Sequence, residues 1–194
     1  TINQVCGSGL SAISLGFNSL KLDDGNIIIA GGQESMSNSP YYINLKKDEE
    51  IDKKKLQNSM MVDGLIDSYN HYHMGVTAEN IAEKYQITRA DQDKFALNSQ
   101  KKTQTAISNN KFNEELIEIN QEGNTLNKDE HFRDGINLND LEKLKTVFQE
   151  NGTVTPGNSS GINDGAAALL LTTLEEAKKK SIKPLAKIVS WASV

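Results

Sequence analysis

The 194-residue chain holds one cysteine, no surplus of positive charge and no long apolar run. Each shortage removes a class of protein. A single cysteine excludes an internal disulfide framework and fits a reducing compartment, so the cytoplasm is expected, with a mitochondrial location compatible. Twenty-one Lys and Arg against 26 Asp and Glu leave a formal charge of −5, the opposite of the basic balance of a nucleic-acid binder. The longest apolar stretch, Gly165 to Leu171, falls far short of the ~20 residues a membrane-crossing helix needs. Hydrophobic residues make up 37%, and the 14 glycines bring the share to about 44%, near the lower edge of globular composition. That allows a core of modest size. No internal repeat or low-complexity tract interrupts the chain.

Three regions follow from the patterning. Thr1 to Val5 reads as a strand leading into Cys6-Gly7-Ser8-Gly9, and Leu10, Ile13, Phe17 and Leu20 mark one face of a helix over about 10–20. Asp23-Asp24-Gly25 should stop that helix, with glycine taking the left-handed position. Ile27 to Ala30 is a continuous apolar run, the mark of a strand buried on both faces, so residues 1–32 predict a β-α-β unit with a parallel pair. Residues 33–159 are polar and irregular, which suggests an inserted subdomain covering a site. Within it, Lys46 to Lys55 carries four acidic and five basic residues in ten positions and reads as a solvated face. Thr88 and Asp91 resemble a capping box for a helix to about Ser108, Leu116 to Ile119 suggests a strand, and Leu138 to Phe148 a second helix. Residues 160–180 return to core character, with a buried strand from Ala166 to Thr172 and a helix capped by Thr173 and Glu176. Residues 181–194 begin a further unit, whose strand would run from Leu185 to Ala192. Because the sequence opens on Thr1 and stops two residues after that run with no closing element, it is expected to be an interior piece of a longer chain.

Cys6 is the sharpest chemical feature. A strand-to-helix junction places it near unpaired helix N–H groups and the positive dipole end, which stabilise a thiolate. The flanking glycines allow close approach of a substrate, and the Cys6 N–H could hold an oxyanion. A lone cysteine is equally a small buried hydrophobe, and the residues alone leave both readings open. Other templates fail. Ser8 lacks the leading glycine of a nucleophile elbow, and no Gly-Lys-Ser/Thr completes a phosphate loop. His71 and His73 would share a strand face, but nothing completes a metal site with them, and His131 is isolated.

Four motifs carry a resemblance: Asn3-Gln4-Val5-Cys6-Gly7-Ser8-Gly9-Leu10; Ala30-Gly31-Gly32-Gln33-Glu34-Ser35-Met36-Ser37; Tyr72-His73-Met74-Gly75-Val76-Thr77-Ala78-Glu79; and Gly152 through Ala167, containing Asn158-Ser159-Ser160-Gly161. In this order and spacing the chain resembles the thiolases, the acetyl-CoA acetyltransferase group, over essentially its whole length. The resemblance implies an α/β fold of five layers (αβαβα). Residues 1–32 would belong to the nucleophile-bearing N-terminal domain, 33–159 to a loop subdomain that binds coenzyme A, 160–180 to the return strand and helix, and 181–194 to the start of the C-terminal domain.

The implied chemistry is a reversible Claisen condensation of two acetyl-CoA to acetoacetyl-CoA through an acyl-Cys6 intermediate. Leu65, His73 and Met74 would line the pantetheine tunnel, Arg133 would lie near the adenine end, Val147 and Phe148 would match further pocket positions, and Ser160 would meet the pantetheine amide. Pro156 stands where the family has a small residue such as alanine. The Tyr72-His73-Met74-Gly75 form resembles the short-chain members. The implied partners are acetyl-CoA and acetoacetyl-CoA with no separate cofactor, in a homo-oligomer built as a dimer of dimers and serving fatty acid metabolism. The family's second catalytic cysteine and its Gly-His-Pro histidine belong to the C-terminal half, so these residues alone are expected neither to condense acetyl-CoA nor to be well soluble. The competing reading is a truncated, non-catalytic acyl-CoA-binding or subunit-interaction protein of the same fold. A ketoacyl-synthase-type condensing enzyme is disfavoured by the long loop subdomain.

Overall fold

In the computed structural model, which describes residues 1–193, the elements run in the order α1 (Ser8–Lys21), β1 (Ile27–Ser35), β2 (Tyr41–Tyr42), β3 (Gln57–Asn58), α2 (Met74–Tyr85), α3 (Arg89–Ser108), β4 (Ile119–Gln121), β5 (Asn124–Leu126), α4 (Leu138–Glu142), β6 (Asp164–Thr172) and α5 (Leu174–Lys179). A 3₁₀ turn at Lys53–Lys55 and a π-helical turn at Met61–Leu65 lie between β2 and α2. The chain divides into two compact units. One comprises Thr1–Gly64 with the segment from Asn163 onward; the other is Leu65–Ile162.

The first unit is organised by a two-stranded antiparallel sheet. β1 and β6 pair along their full length, from Ile27 opposite Thr172 to Ser35 opposite Asp164. Side chains opposite one another share a face, so Ile28 and Leu171 lie on the same side, and that side receives α1. The helix fits because Gly16 is bare: a Cβ there would stand 2.8 Å from Leu171 Cδ1 and 3.2 Å from Ile28 Cγ2. Gly31 is needed for a different reason, since a Cβ would collide with the Ala167 carbonyl of the partner strand. Asp164 ties the strand ends together by accepting the Ser37 N–H at 2.9 Å and the Ser37 hydroxyl. Those two hydrogen bonds, the hydroxyl first, hold the Asp164 carboxyl below the ordinary aspartate value.

Several expectations are corrected here. The strand expected at 1–5 is a turn. The Asn3 side chain captures the Val5 N–H at 3.0 Å, and Val5 adopts φ 51°, which no strand accommodates. No parallel β-α-β pair forms among the described residues, because the neighbour of β1 is β6 and runs the other way. Nor are the two strands buried on both faces: Ala30 is covered, whereas Ile29 and Leu170, on the side away from α1, are 75% and 53% exposed. Leu10, expected on the buried helix face, is exposed too. Asp23 rather than Gly25 takes the left-handed position after α1, at φ 57°; a short polar side chain tolerates that conformation. No strand forms over 185–192 among the described residues, where no neighbouring strand offers its backbone groups a partner. α5 does begin as expected, with the Thr173 hydroxyl accepting the Glu176 N–H at 3.2 Å.

The second unit is held by helices. The Thr88–Asp91 capping box is present in both directions and starts α3 where the sequence indicates. Three residues later than expected, β4 pairs with β5 across a turn in which Glu122 and Gly123 both have positive φ. The helix expected over 138–148 ends at Glu142, because the guanidinium of Arg89 collects the Leu141 and Leu144 carbonyls at 2.7 and 3.0 Å and draws the backbone out of the helix. Among the described residues no helix is long and apolar enough to cross a membrane.

Gly31→Ala is expected to destabilise the first unit by about 3 kcal/mol, the upper part of the usual overpacking range, since the obstacle is backbone. A urea midpoint equal to that of the unsubstituted chain would show that β1 and β6 separate at no cost.

Candidate active site

Cys6 is exposed and lies one residue before Gly7, the N-cap of α1. Short-range hydrogen bonds fix its backbone: Gly7 N–H donates to the Gln4 carbonyl at 3.0 Å and Ser8 N–H to the Val5 carbonyl at 3.2 Å. The Ser8 hydroxyl closes the turn, donating to the Val5 carbonyl at 2.8 Å and accepting the Gln4 N–H at 2.7 Å. Ser8 is therefore committed to structure. The Cys6 N–H donates to no group among the described residues. A thiol on a rigid, open turn with an available amide is suited to covalent capture of a carbonyl and to holding the oxygen that becomes negative.

The other sequence-derived candidates fall in the second unit. His73 is the N-cap of α2, its Nδ1 accepting the Gly75 N–H at 2.9 Å. Its ring stacks on Phe148, with centroids 4.6 Å apart and planes 18° from parallel. Gly75 permits this, for a Cβ there would enter the Phe148 ring. Met74, the first residue of α2, is 54% exposed, and Val147 beside Phe148 is 56% exposed. The bridge between Ile66 and His73 sets Leu65, half-buried at the end of the π-helical turn, next to this group. Thus His73, Met74, Val147, Phe148 and Leu65 share one neighbourhood. Arg133 and Ser160 are exposed and not joined to it by hydrogen bonds. The loop of Arg133 is tied to α3, its N–H donating to Gln100 Oε1 at 3.1 Å and the adjacent Asp134 accepting from Gln104. His71 does not share a strand with His73; it occupies a turn at φ 58°, its N–H on the Asp67 carbonyl at 2.8 Å.

Sequence reasoning missed the groups that hold this neighbourhood. Glu79, 5% exposed on α2, accepts the Thr153 N–H at 2.8 and 2.9 Å, the Thr153 hydroxyl at 2.7 Å and the Val154 N–H at 2.8 Å. Burial by itself would raise the Glu79 carboxyl, but the bonds from Val154 N–H, the Thr153 hydroxyl and Thr153 N–H outweigh it and leave the pKa below the ordinary value. Fully buried Asp93 is paired with Arg89 Nε at 2.7 Å and accepts from the Asn158 amide at 2.9 Å. Asn158 donates in turn to the Thr153 carbonyl at 3.0 Å and accepts the Thr155 N–H at 2.8 Å. Together these bonds fasten residues 153–158 to α2 and α3, while the Val147 N–H on the Val154 carbonyl at 3.2 Å carries the constraint to Val147 and Phe148. Arg89 and Asp93 were visible as an i,i+4 pair. Glu79 and Asn158 were visible only as letters inside two motifs.

A family model for the thiolase N-terminal domain matches residues 1–175. An acetyl-CoA acetyltransferase of Rhizobium meliloti (strain 1021) is 45% identical over 196 residues, covering 99% of this chain and 50% of that protein. Among solved structures, human mitochondrial 3-ketoacyl-CoA thiolase in complex with CoA superposes with a TM-score of 0.87 at 36% identity, covering 95% of this chain and 47% of that one. Acat5 thiolase from Ascaris suum in complex with coenzyme A gives a TM-score of 0.86 at 34% identity over 98% of this chain and 49% of that one. The chain belongs to the thiolase family and has the thiolase α/β fold, and it spans about half the length of the curated relatives it matches.

Two outcomes test this construction. Because folding lowers the Glu79 pKa, its contribution to stability is complete above the ordinary glutamate value of 4.5 and is lost as pH falls through the lower folded value. The protection of the Thr153 and Val154 amides, measured against their intrinsic exchange rates at each pH, should therefore fall on acidification. Glu79→Gln should remove that pH dependence and cost about 1–3 kcal/mol by leaving buried donors poorly paired. Second, Gly75→Ala should expel the Phe148 ring while sparing the first unit, read as loss of ring-current shifts on the His73 imidazole protons. Unchanged shifts would mean that the stack does not depend on Gly75.

Proposed function

We propose that this chain is the nucleophile-bearing part of a short-chain thiolase, an acetyl-CoA C-acetyltransferase that interconverts two acetyl-CoA and acetoacetyl-CoA. The observation that carries the reading is Cys6, exposed on a hydrogen-bonded turn immediately before α1. Its Sγ would attack the thioester carbonyl, the bond to the coenzyme A sulfur would break, and the coenzyme A thiolate would leave and take up a proton. A second acetyl-CoA, deprotonated at its methyl group, would attack the acyl-Cys6 carbonyl and release the Cys6 thiolate. Splitting the condensation in this way replaces one hard step by two easier ones. The Cys6 N–H is the donor offered to the developing oxyanion. No residue of this chain is assigned as the carbon-acid base for the second step.

Leu65, His73, Met74, Arg133, Val147, Phe148 and Ser160 are proposed to receive coenzyme A, within a loop subdomain drawn at 33–159. The names of the human and Ascaris suum structures, both in complex with CoA, support that ligand class. Coenzyme A thioesters are then substrates, and no further cofactor is invoked. The whole protein is proposed to be a cytoplasmic homo-oligomer, a dimer of dimers acting in fatty acid metabolism. The apolar side chains open on the β1–β6 face suit a chain that continues or associates.

The test is alkylation of Cys6 by iodoacetamide, followed by mass spectrometry. Rapid modification that acetyl-CoA suppresses, with an acetyl adduct on Cys6 absent from Cys6→Ser, is the expected result. Slow labelling indifferent to acetyl-CoA would overturn the acyl-transfer reading in favour of a non-catalytic acyl-CoA-binding or subunit-interaction protein.

A further inference from the structure

Asn151 and Gly152 form the one Asn-Gly pair in the chain, and they close the turn that leads into the Glu79 latch. Asn151 is exposed and left-handed at φ 58°, a conformation that its short polar side chain tolerates. Its side-chain amide enters no hydrogen bond among the described residues. The amide of Asn158 is the contrast, donating to Asp93 and to the Thr153 carbonyl while accepting the Thr155 N–H. The Gly152 N–H is held by one bond, to the Gln149 carbonyl at 3.1 Å, within the same exposed turn. Immediately beyond the pair the chain has no slack. A Cβ on Gly152 would collide with the Glu79 carboxylate, and the N–H groups of Thr153 and Val154 are fastened to that carboxylate.

We propose that Asn151 is a self-modifying site, which deamidates and isomerises through a cyclic imide with Gly152, and that the product opens the Glu79 latch. The Gly152 nitrogen bonds to Asn151 Cγ and gives up its proton. The bond from Cγ to the side-chain nitrogen breaks, and that nitrogen leaves as ammonia. Water then opens the imide at either carbonyl, leaving aspartate or isoaspartate at position 151. Glycine suits the step because it has no side chain to obstruct the closing ring. The folded turn is not itself the reactive geometry: the Gly152 N–H must leave the Gln149 carbonyl, and Asn151 must rotate out of the left-handed region. With Gln149, Glu150 and Asn151 all exposed, this is a local opening rather than an unfolding of the unit. Either product adds a negative charge two residues from Thr153, on the chain that the Glu79 carboxylate holds. Isoaspartate also inserts a methylene into the main chain, just where Gly152 has no room to shift. The bonds from Thr153 and Val154 to Glu79 are thus the ones lost, and the Val147 N–H on the Val154 carbonyl carries the change toward Phe148. Loss of ammonia to solvent makes the conversion one-way.

The experiment incubates the full-length protein at mildly alkaline pH and physiological temperature and maps its peptides by mass spectrometry, with fragmentation that separates aspartate from isoaspartate. Asn151 is expected to convert ahead of every other asparagine, and the converted fraction to lose hydrogen-exchange protection at the Thr153 and Val154 amides. An intact Asn151 after other asparagines have converted overturns the site. Conversion whose rate follows global unfolding across a urea series overturns the local opening. Full protection in the converted fraction overturns the effect on the latch. Asn151→Gln, whose longer side chain disfavours ring closure, should keep its protection throughout the incubation; loss in that variant would give the loss another cause and overturn the link to Asn151. Asn151→Asp supplies the charge without the added methylene, so it should lose less protection than the isomerised chain. An equal loss would overturn the main-chain part of the proposal.

Discussion

Two carboxylate oxygens of Glu79 meet three protein donors, the backbone N–H groups of Thr153 and Val154 and the Thr153 hydroxyl, in a site almost closed to water. An ionised group there would be expensive without partners, and it is stable because both oxygens accept hydrogen bonds, the Thr153 N–H being shared between them. The same carboxylate fills the space beside Gly152, where a Cβ would collide with it. One side chain on α2 therefore dictates the path of a loop more than seventy residues away. The neighbouring set, Arg89 with Asp93 and Asn158, does the same from α3. The second unit has few large fully buried side chains, Leu141 being one, so polar bonds of this kind take over work that apolar packing does in larger cores.

The first unit solves a different problem. Its sheet has two strands, one helix on one face and apolar residues open on the other. Antiparallel pairing over nine positions gives alternate residues of β1 backbone partners on β6, while the backbone groups between them point to the strand's other edge. Ile29 and Leu170 are left open on the face away from α1. Local choices here, Gly16 beneath α1 and Gly31 against Ala167, bring the elements closer than any side chain would allow.

Legibility in the sequence followed the range of the interaction. The helix after Thr88 could be read to the residue, because a capping box is written within four positions. The helix after Leu138 could not, since what ends it is an arginine some fifty residues earlier. The short apolar runs of β1 and β6 announced strands, but apolar runs cannot state which neighbour a strand takes or in which direction. Thr1 to Val5 misled because Asn3, a turn former, outweighs the β-propensity of Ile2 and Val5 around it. Cys6 was legible by its glycines and its motif. His73 was legible only by resemblance, and nothing in its surroundings told of the stack on Phe148.

The candidate groups consequently differ in what they depend on. Cys6 is positioned by bonds spanning three and four residues, made by Ser8 and the backbone of Gln4 and Val5, and such a turn forms wherever α1 forms. His73 relies on a nearby cap and on a ring delivered from residue 148 by a loop that Glu79 must hold. Damage to the latch would thus disorder the stack of His73 on Phe148 while leaving the thiol's own geometry in place. Damage to the Ser8 turn would do the reverse. The Cys6 thiol is fixed by its own backbone, whereas the His73 ring draws its placement from packing that distant residues hold. The two groups accordingly lie in different compact units, each held by its own set of bonds.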